Sequence, residues 1–428
     1  MGELIEKGRR LLKTGFFHIF GSSVINKVIT FLSSVVLVRI LTKPEYGVFT
    51  YAWNIYSIIL LFNGMGIESG VLQMSSEHSG DEKYGSKVSN YGVRFGVKFD
   101  VLLVATILLI GLFAPLKIEA SRSVMVMLCL LPMVQLLYLM TTSFLRAQKR
   151  NHEYAKLTII NTALIFLISA GCAFLFREKG LVVGYYVAYL ASFAIGLLWF
   201  KVRIINNDGQ IEAKDKKSLL KISAITMCNN GLSQMMYLLD VFVLGIVDPQ
   251  ETILASYKVA TMIPSALAFI PLSLIIYLYP YFAEHRGDGD WCLKKYKQIL
   301  IGMGSLNLII SATLFFGAPL IVKILYGTGY LDCVPIFRLL SVNYFFSGTF
   351  RILSGNLLVT QRKLKFNLVV AIIACSVNIV ADYFFITWWG AIGAAIATCS
   401  VVLITSVMNT VYLVYTFKKS RAEKIADI

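Results

Sequence analysis

The sequence predicts an all-α integral membrane protein of about twelve transmembrane helices, arranged as two lobes of six helices each. Three observations lead to this prediction. Hydrophobic residues make up 57% of the 428 residues and charged residues only 15%, and the mean hydropathy is +0.71, which is far from the composition of soluble domains. The apolar residues form continuous runs about as long as a bilayer is thick. The two halves of the chain also carry similar patterns in the same order.

The apolar runs are continuous over about 20 residues or more, whereas transmembrane β-strands would show short alternating segments. Helices are therefore predicted. The first run follows a basic leader (Lys7, Arg9, Arg10 and Lys13) but contains no small-residue cleavage site, so we expect a retained first helix rather than a signal peptide. The predicted spans are residues 16–40, 48–70, 97–116, 122–145, 157–176, 180–200, 222–247, 255–282, 299–322, 336–359, 366–387 and 389–416.

The net charge of +16 would suggest a nucleic-acid partner in a soluble protein, but the placement of the basic residues argues against one. Most of the 40 Lys and Arg residues fall in alternate loops and near the two ends of the chain. Cytoplasmic segments of membrane proteins are enriched in these residues. The pattern therefore predicts that both termini are cytoplasmic and that no nucleic acid is bound.

The sequence shows no catalytic, nucleotide-binding or metal-binding motif. The seven cysteines and four histidines lack ligand spacing. Residues Gly80–Lys87 look briefly like a phosphate loop, but Ser precedes Lys and no strand comes before them. The longest polar stretches, at about 71–96, 201–221 and 283–298, are too short for a soluble domain. We therefore expect a protein that is not an enzyme and holds no metal or cofactor.

The two halves of the sequence indicate an internal duplication. Polar residues of the first and seventh predicted helices occur at identical intervals, and three further pairs of segments match in the same order. A unit of six helices, an even number, inserts both copies the same way up. We predict an N-terminal six-helix lobe over residues 1–210 and a C-terminal one over residues 211–428, facing each other across a cleft. The matched polar residues are Ser23, Asn26, Lys27, Thr30 and Ser33 in the first helix and Asn230, Ser233, Gln234, Tyr237 and Asp240 in the seventh.

These polar residues fall on one stripe of each helix, because a helix turns 100° per residue. One interpretation is that they only form hydrogen bonds between helices. Ionisable residues favour a cavity instead, because a charge near the bilayer centre costs at least about 2.5 kcal/mol unless it faces water or a partner. Lys27, Asp240 and Arg351 occupy such positions. Three others lie nearer predicted helix ends, where an anchoring role is as plausible as a functional one: Asp382, Glu68 and Lys258.

The second half of the sequence also predicts local irregularities in its helices. Pro264 and Pro271 each remove a backbone hydrogen bond from the eighth helix, so we expect a kink there. A hinge and a purely structural bend are equally consistent with that kink. In the tenth helix, a face shared with Arg351 is predicted for Asn343, Ser347 and Ser354.

Four segments carry a resemblance to a known family: Arg39–Gly47 after the first helix, Asp240–Gly245 in the seventh, Leu325–Tyr330 after the ninth and Gly390–Thr398 opening the twelfth. They resemble the polysaccharide transporter family, which contains the O-antigen and capsule flippases called Wzx. This family belongs to the multidrug/oligosaccharidyl-lipid/polysaccharide exporter superfamily, together with multidrug exporters and the lipid II flippase. The resemblance spans nearly the whole chain.

The resemblance implies a V-shaped pair of six-helix lobes that moves an undecaprenyl-diphosphate-linked oligosaccharide across a bacterial inner membrane by alternating access. It also implies H+ or Na+ as a counter-ion and a polysaccharide polymerase as a partner. Lys27 and Arg351 would attract the diphosphate. The residues expected to bind substrate are Lys27, Arg351, Asn26, Asn230, Gln234 and Lys258. Those expected to couple transport to an ion are Asp240, Asp382 and Glu68.

Other functions are compatible with this sequence. A multidrug exporter of the same superfamily would carry cationic drugs, but the mid-helix charges, two basic and one acidic, disfavour such substrates. A membrane-embedded polymerase or acyltransferase would be expected to have a large outer loop, and every predicted outer loop is short. Lipid II flippases carry two further C-terminal helices, so the resemblance implies a different lipid-linked substrate.

Overall fold

The structure is a computed structural model that describes residues 16–78, 81–204 and 211–426. The basic leader before the first helix lies outside the described residues. The described part of the chain is helical and contains no strand, which confirms the predicted all-α class. The helices are α1 (Phe16–Ile40), α2 (Lys43–Leu60), α3 (Ile67–Glu77), α4 (Glu82–Phe113), α5 (Ser121–Met127), α6 (Leu131–Ala147), α7 (Asn151–Leu198), α8 (Ala213–Val247), α9 (Glu251–Leu267), α10 (Phe269–Glu284), α11 (Gly289–Leu325), α12 (Val334–Phe346), α13 (Ile352–Thr360) and α14 (Leu364–Ala426).

Seven helices of the described residues are long and apolar enough to cross a membrane, or eight if α5 and α6, bent by 46°, form one span. Two of them are too long for a single crossing. Helix α7 has 48 residues and α14 has 63, which at 1.5 Å per residue would extend about 72 and 95 Å. A bilayer core is only about 30 Å thick, so each must contain two crossings.

Both long helices fold back on themselves at a residue in the left-handed region. Arg177 has a φ of 55° and Gly390 a φ of 57°. After the first break, Gly180 lies so close to Ala173 that a Cβ atom would come within 2.7 Å of its backbone nitrogen, and Gly184 approaches Ser169 in the same way. After the break, residues later in the chain contact residues progressively earlier in it, since Gly180 meets Ala173 and Gly184 meets Ser169. This is the contact pattern of an antiparallel helical hairpin. With these two divisions, the described helices correspond to the twelve predicted spans.

Several spans are irregular in ways that the apolar runs do not show. The predicted span 48–70 is two helices, α2 and α3, joined by a 3-10 turn at Asn63–Gly66. The eighth span is interrupted at Ala268, between α9 and α10, four residues after Pro264. The tenth contains a π-helical turn at Ser347–Arg351. A π turn adds one residue to a helical turn, which changes the angle between the residues before it and those after it. The helix face predicted for Arg351 by counting 100° per residue therefore does not hold beyond the turn.

The polar stretches between the spans are largely helical rather than looped. Helix α4 begins at Glu82 and α11 at Gly289, well before the apolar runs that they contain. The structure therefore places residues 82–96, part of the polar stretch at about 71–96, in a helix. Helices can project beyond the bilayer when their polar turns are hydrated, and hydropathy alone does not detect that extension.

The chain divides into two compact units, Met1–Gln234 and Met235–Ile428. The division falls inside α8. The predicted lobe boundary between residues 210 and 211 stays a prediction. In the first unit, the buried core includes Ile67, Met140 and Phe144. In the second, it includes Phe282 and Tyr296.

A repeated turn, missed in the sequence comparison, supports the internal duplication. In each unit a histidine ring bonds through Nδ1 to the carbonyl four residues earlier, at 3.1 and 3.0 Å, and stacks on an aromatic ring of the next helix, with centroids 4.2 and 4.0 Å apart. An aspartate then accepts a hydrogen bond from the backbone N–H of that aromatic residue, at 2.9 and 3.1 Å. The residues are His78, Asp81 and Tyr84 in the first unit and His285, Asp288 and Trp291 in the second.

The close approach in α7 predicts the effect of adding one methyl group. In Gly184→Ala, the new Cβ would lie 2.5 Å from the Cα of Ser169, so the hairpin must separate. We expect a loss of stability of about 1–3 kcal/mol, as for overpacked cores, measured as a lower melting temperature of the purified protein in detergent. Gly171→Ala is the control, because nothing lies within 4 Å of a Cβ there. Equal melting temperatures for the two variants would contradict the hairpin packing.

Candidate functional site

A cluster of buried polar groups surrounds Asp240 in the unit Met235–Ile428. Asp240 lies in α8 and is only 8% exposed. Its carboxylate accepts hydrogen bonds from Tyr257 Oη at 2.8 Å, from Asn378 Nδ2 at 3.3 Å and from Thr398 Oγ1 at 2.5 Å. These donors come from α9 and from both halves of α14. The carboxylate is therefore held in one place by three separate helical segments.

A second carboxyl group, that of Asp382, lies beside Asp240. Asp382 is fully buried, one helical turn after Asn378, and neither of its oxygens has a hydrogen-bond donor among the described residues. Neither carboxyl forms an ion pair within the described part of the chain. Two adjacent carboxylates in a medium of low dielectric constant repel each other strongly. The pair is thus suited to taking up a proton or a cation.

The other atoms of the cluster are also oxygen donors of the kind that bind hard cations. Asn378 Oδ1 is buried and has no partner among the described residues, and the hydroxyl groups of Tyr257 and Thr398 are adjacent. Hard cations prefer carboxylate, carbonyl and hydroxyl oxygens. Among the described residues, no group of three or more His, Cys, Asp or Glu is placed to hold a metal ion. The chemistry of this cluster therefore fits a proton or a monovalent cation.

The hairpin in α14 assembles this cluster. Asn378 and Asp382 precede Gly390, and Thr398 follows it. The reversal at Gly390 brings Gly393 so close to the preceding segment that a Cβ atom would lie 2.9 Å from the backbone nitrogen of Ile386. The small residues after the turn are thus required for the two halves to pack. Their packing lets Thr398 reach the same carboxylate as Asn378.

A second polar location, a cavity, lies in the unit Met1–Gln234. Its volume is about 150 Å³. Its wall combines a carboxylate and three carboxamides with apolar side chains. Two of the predicted site residues, Glu68 and Asn230, meet here. The lining residues are Leu60, Leu61, Asn63, Gly66, Glu68, Gln135, Leu139, Met227 and Asn230.

The remaining predicted substrate residues are distributed over both units. Lys27 is exposed on α1, and Asn26 beside it has a buried Oδ1 atom with no partner among the described residues. Gln234 is exposed on α8. Lys258 and Arg351 are half-buried within the second unit. The roles of these residues stay predictions.

The sequence did not identify Asp100, which binds the turn beside the cavity. Asp100 is fully buried in α4, and its Oδ1 accepts a hydrogen bond of 2.7 Å from the backbone N–H of Gly64. An acidic residue within an apolar run was a signal that could have identified it. With Asp100 and Asp382, three carboxyl groups are buried in the described spans, while Lys27 is exposed and Arg351 half-buried. The count of two basic charges to one acidic charge at mid-helix positions therefore does not describe which charged groups are buried.

Removing one donor to Asp240 should measure how strongly the cluster is held. Thr398→Val keeps the shape of the side chain but deletes the hydrogen bond to the buried carboxylate, so we expect a destabilisation of about 1–3 kcal/mol. The measurement is the melting temperature of the purified protein. In the control, Thr387→Val, the lost hydroxyl group is exposed and bonds only the carbonyl of Tyr383 in its own helix. An unchanged melting temperature for Thr398→Val would show that the bond contributes nothing.

Solved membrane transporters share this fold. An inward-facing multidrug resistance MATE family transporter of the MOP superfamily superposes with a TM-score of 0.78 at 13% identity, covering 92% of this chain and 96% of its own. The lipid II flippase MurJ, in an inward closed conformation, gives a TM-score of 0.70 at 16% identity over 95% and 90% of the two chains. A MOP superfamily transporter from Pyrococcus furiosus is described as having a binding pocket of reverse polarity. It superposes with a TM-score of 0.65 at 11% identity, covering 95% of this chain and 96% of its own.

No curated protein sequence matches this chain significantly. Residues 36–335, however, match a family described as polysaccharide biosynthesis protein, which is more than half of the chain. Together with the transporter fold, this match confirms the resemblance inferred from the sequence segments. The chain belongs to the polysaccharide biosynthesis protein family and is a multi-pass membrane protein with the fold of the MOP superfamily.

Proposed function

We propose that this protein is a flippase that carries undecaprenyl-diphosphate-linked oligosaccharide repeat units from the cytoplasmic to the outer face of a bacterial inner membrane. The observation that carries the proposal is the family match over residues 36–335 in a chain of membrane-spanning helices. Polysaccharide units assembled on a lipid in the cytoplasm must cross the membrane to be used outside. The lipid II flippase, whose fold is similar, is named for a lipid-linked substrate.

An ion gradient would drive this transport through the cluster around Asp240. Asp240 and Asp382 lie side by side, buried and without a basic partner among the described residues. Binding of a proton or a sodium ion would remove their mutual repulsion, and its release would restore it. Such a change in local charge provides two states whose populations the gradient can shift. Glu68, the third residue expected from the sequence to couple transport to an ion, lies in the other unit, and the proposed coupling mechanism does not include it.

The negatively charged diphosphate of the substrate requires fixed positive charge. Lys27 on α1 is exposed in the protein without its lipid. Arg351 ends the π-helical turn between α12 and α13, a kind of irregularity that is frequent at functional sites. A guanidinium group binds phosphate oxygens in a bidentate manner. We assign Arg351 and Lys27 to the diphosphate, and Lys258, Asn26 and Gln234 to supporting contacts.

Export of cationic drugs is the second candidate function. Three buried carboxyl groups and the similarity to multidrug transporters favour it. A measurement of resistance to cationic drugs in a sensitised strain separates the two functions. Resistance without any effect on lipid-linked oligosaccharide would identify a drug exporter.

The charge assignment predicts a loss of transport in Lys27→Ala and Arg351→Ala, because neither variant can neutralise the diphosphate fully. In cells that lack the wild-type gene, lipid-linked oligosaccharide should accumulate on the cytoplasmic face, at least about tenfold above wild type for a lost charge-assisted bond of 1.5–3 kcal/mol. Lys418→Ala and Arg286→Ala, both at exposed positions, are the matched controls. The amount of each protein in the membrane is measured in parallel. Normal passage in both Lys27→Ala and Arg351→Ala would refute the assignment.

The coupling assignment predicts that Asp240→Asn transports independently of the gradient, because an amide cannot exchange a proton or balance a cation. The measurement compares flipping rates in proteoliposomes with and without an imposed proton or sodium gradient. Asp248→Asn, at the end of the same helix and bonded to Gln250 Nε2 at 3.1 Å, should respond to the gradient as the wild type does. A normal response of Asp240→Asn would exclude this residue from coupling.

A further inference from the structure

We infer that the cavity in the unit Met1–Gln234 is a subsite for a sugar ring of the transported molecule. This inference rests on the proposed flippase function and adds to it the part of the substrate that this unit recognises. The cavity is bounded by α2, the first turn of α3, α6 and the first half of α8. Its hydrogen-bonding groups are those of Asn63, Glu68, Gln135 and Asn230.

The break between α2 and α3 fixes the wall of the cavity. Gly64, Met65 and Gly66 have φ values of 51°, 55° and 69°, so three successive residues adopt the left-handed conformation. Asp100 accepts a hydrogen bond from the N–H of Gly64 at 2.7 Å. At Gly66, a Cβ atom would lie 2.8 Å from the carbonyl oxygen of Ser223 in α8. A non-glycine residue there would push α8 away, so the cavity depends on this close approach.

Two carboxamides in the wall retain unused hydrogen-bonding capacity. Asn63 is 7% exposed and donates from Nδ2 to the carbonyl of Pro132 at 3.0 Å, yet its buried Oδ1 has no partner among the described residues. Gln135 accepts from Tyr56 Oη at 3.3 Å through Oε1, and the described bonds include none from its Nε2 group. A buried polar atom without a partner costs about 1–3 kcal/mol. Because the Asn63 oxygen is buried, a ligand in the cavity can reach only the Gln135 amide group of these two.

The charge of the cavity identifies the chemistry of that ligand. Glu68 supplies a carboxylate, and no Lys, Arg or His belongs to the lining as described. A diphosphate would therefore be repelled. Neutral hydroxyl groups both donate and accept hydrogen bonds, so they match a wall that combines carboxylate and amide oxygens with amide N–H groups. A bare cation would use only the oxygens.

The shape and the remaining lining also fit a sugar. The cavity volume of about 150 Å³ is smaller than the roughly 300–1,000 Å³ typical of pockets for drug-sized molecules, so the cavity suits one small ring rather than a whole oligosaccharide. Leu60, Leu61, Leu139 and Met227 provide apolar surface on which the C–H face of a pyranose ring can pack. Small-molecule sites commonly combine an apolar wall with a few fixed polar groups. The cavity therefore has room for no more than a single sugar ring.

The test compares binding of two lipids to the purified full-length protein. One is the lipid-linked oligosaccharide that accumulates in cells lacking this gene, and the other is undecaprenyl diphosphate without sugar. Gln135→Leu removes the amide, and Glu68→Gln changes the carboxylate with little change of shape. We expect each variant to bind the oligosaccharide about 5- to 10-fold more weakly, as for one or two lost hydrogen bonds. Binding of the sugar-free lipid should not change.

The control for Gln135→Leu is Gln73→Leu. Gln73 is exposed on α3, where its Nε2 bonds Glu77 at 3.1 Å, so this variant should bind both lipids as the wild type does. If Gln135→Leu fails to fold, Glu68→Gln decides the question alone. An equal loss of affinity for both lipids, or none for the oligosaccharide, would overturn the sugar subsite. A rise in melting temperature with sodium or ammonium chloride that Glu68→Gln abolishes would instead assign the cavity to a cation.

Failure of the subsite and failure of the flippase function give different results. If the wild type binds the oligosaccharide and the sugar-free lipid equally tightly but still moves lipid-linked oligosaccharide in cells, only the subsite is refuted. If the wild type binds neither lipid and its deletion leaves the oligosaccharide distribution unchanged, both the function and the subsite are refuted.

Discussion

The structure depends on one constraint, which is that a backbone polar group in lipid must find its hydrogen-bond partner within the protein. Continuous helices satisfy it locally, so breaks are tolerated only where side chains replace the lost bonds. The break at Gly64 shows how this is done. Asp100, fully buried in the neighbouring helix, accepts the freed N–H at 2.7 Å. A carboxyl group that would be costly in an apolar helix is thereby retained for a structural reason.

The same breaks create the polar sites. The reversal at Gly390 brings Thr398 alongside Asn378 and completes the cluster around Asp240. The 3-10 turn at Asn63–Gly66 starts a new helix that places Glu68 in its first turn, on the wall of the cavity. A straight helix would present these residues to lipid or bury them without partners. Irregular backbone inside the protein is therefore what makes room for polar chemistry in both units.

The two units repeat a fold but differ in the chemistry of their interiors. The repeated turn around His78 and His285 shows the duplication in detail, since ring stacking, the Nδ1 bond and the aspartate cap recur in both copies. Asp240, however, corresponds in the repeat to Ser33, which is buried in the first unit. Asp240 therefore has no acidic counterpart at that position, and the carboxyl groups of the first unit, Glu68 and Asp100, come from other helices. Under our proposal, one unit binds the driving ion and the other recognises sugar, a division that a symmetric ancestor would not have had.

The sequence by itself determined the membrane class, the approximate spans and the position of Asp240 as a charge inside one of them, because apolar runs of bilayer length and a charge within them are local signals. It did not determine where helices break, since Met65 and Arg177 adopt left-handed backbone although neither residue type favours it. Nor did it identify Tyr257, Asn378 and Thr398 as partners of Asp240. Those contacts join segments far apart in the chain, and only the packing of the hairpin brings them within hydrogen-bonding distance.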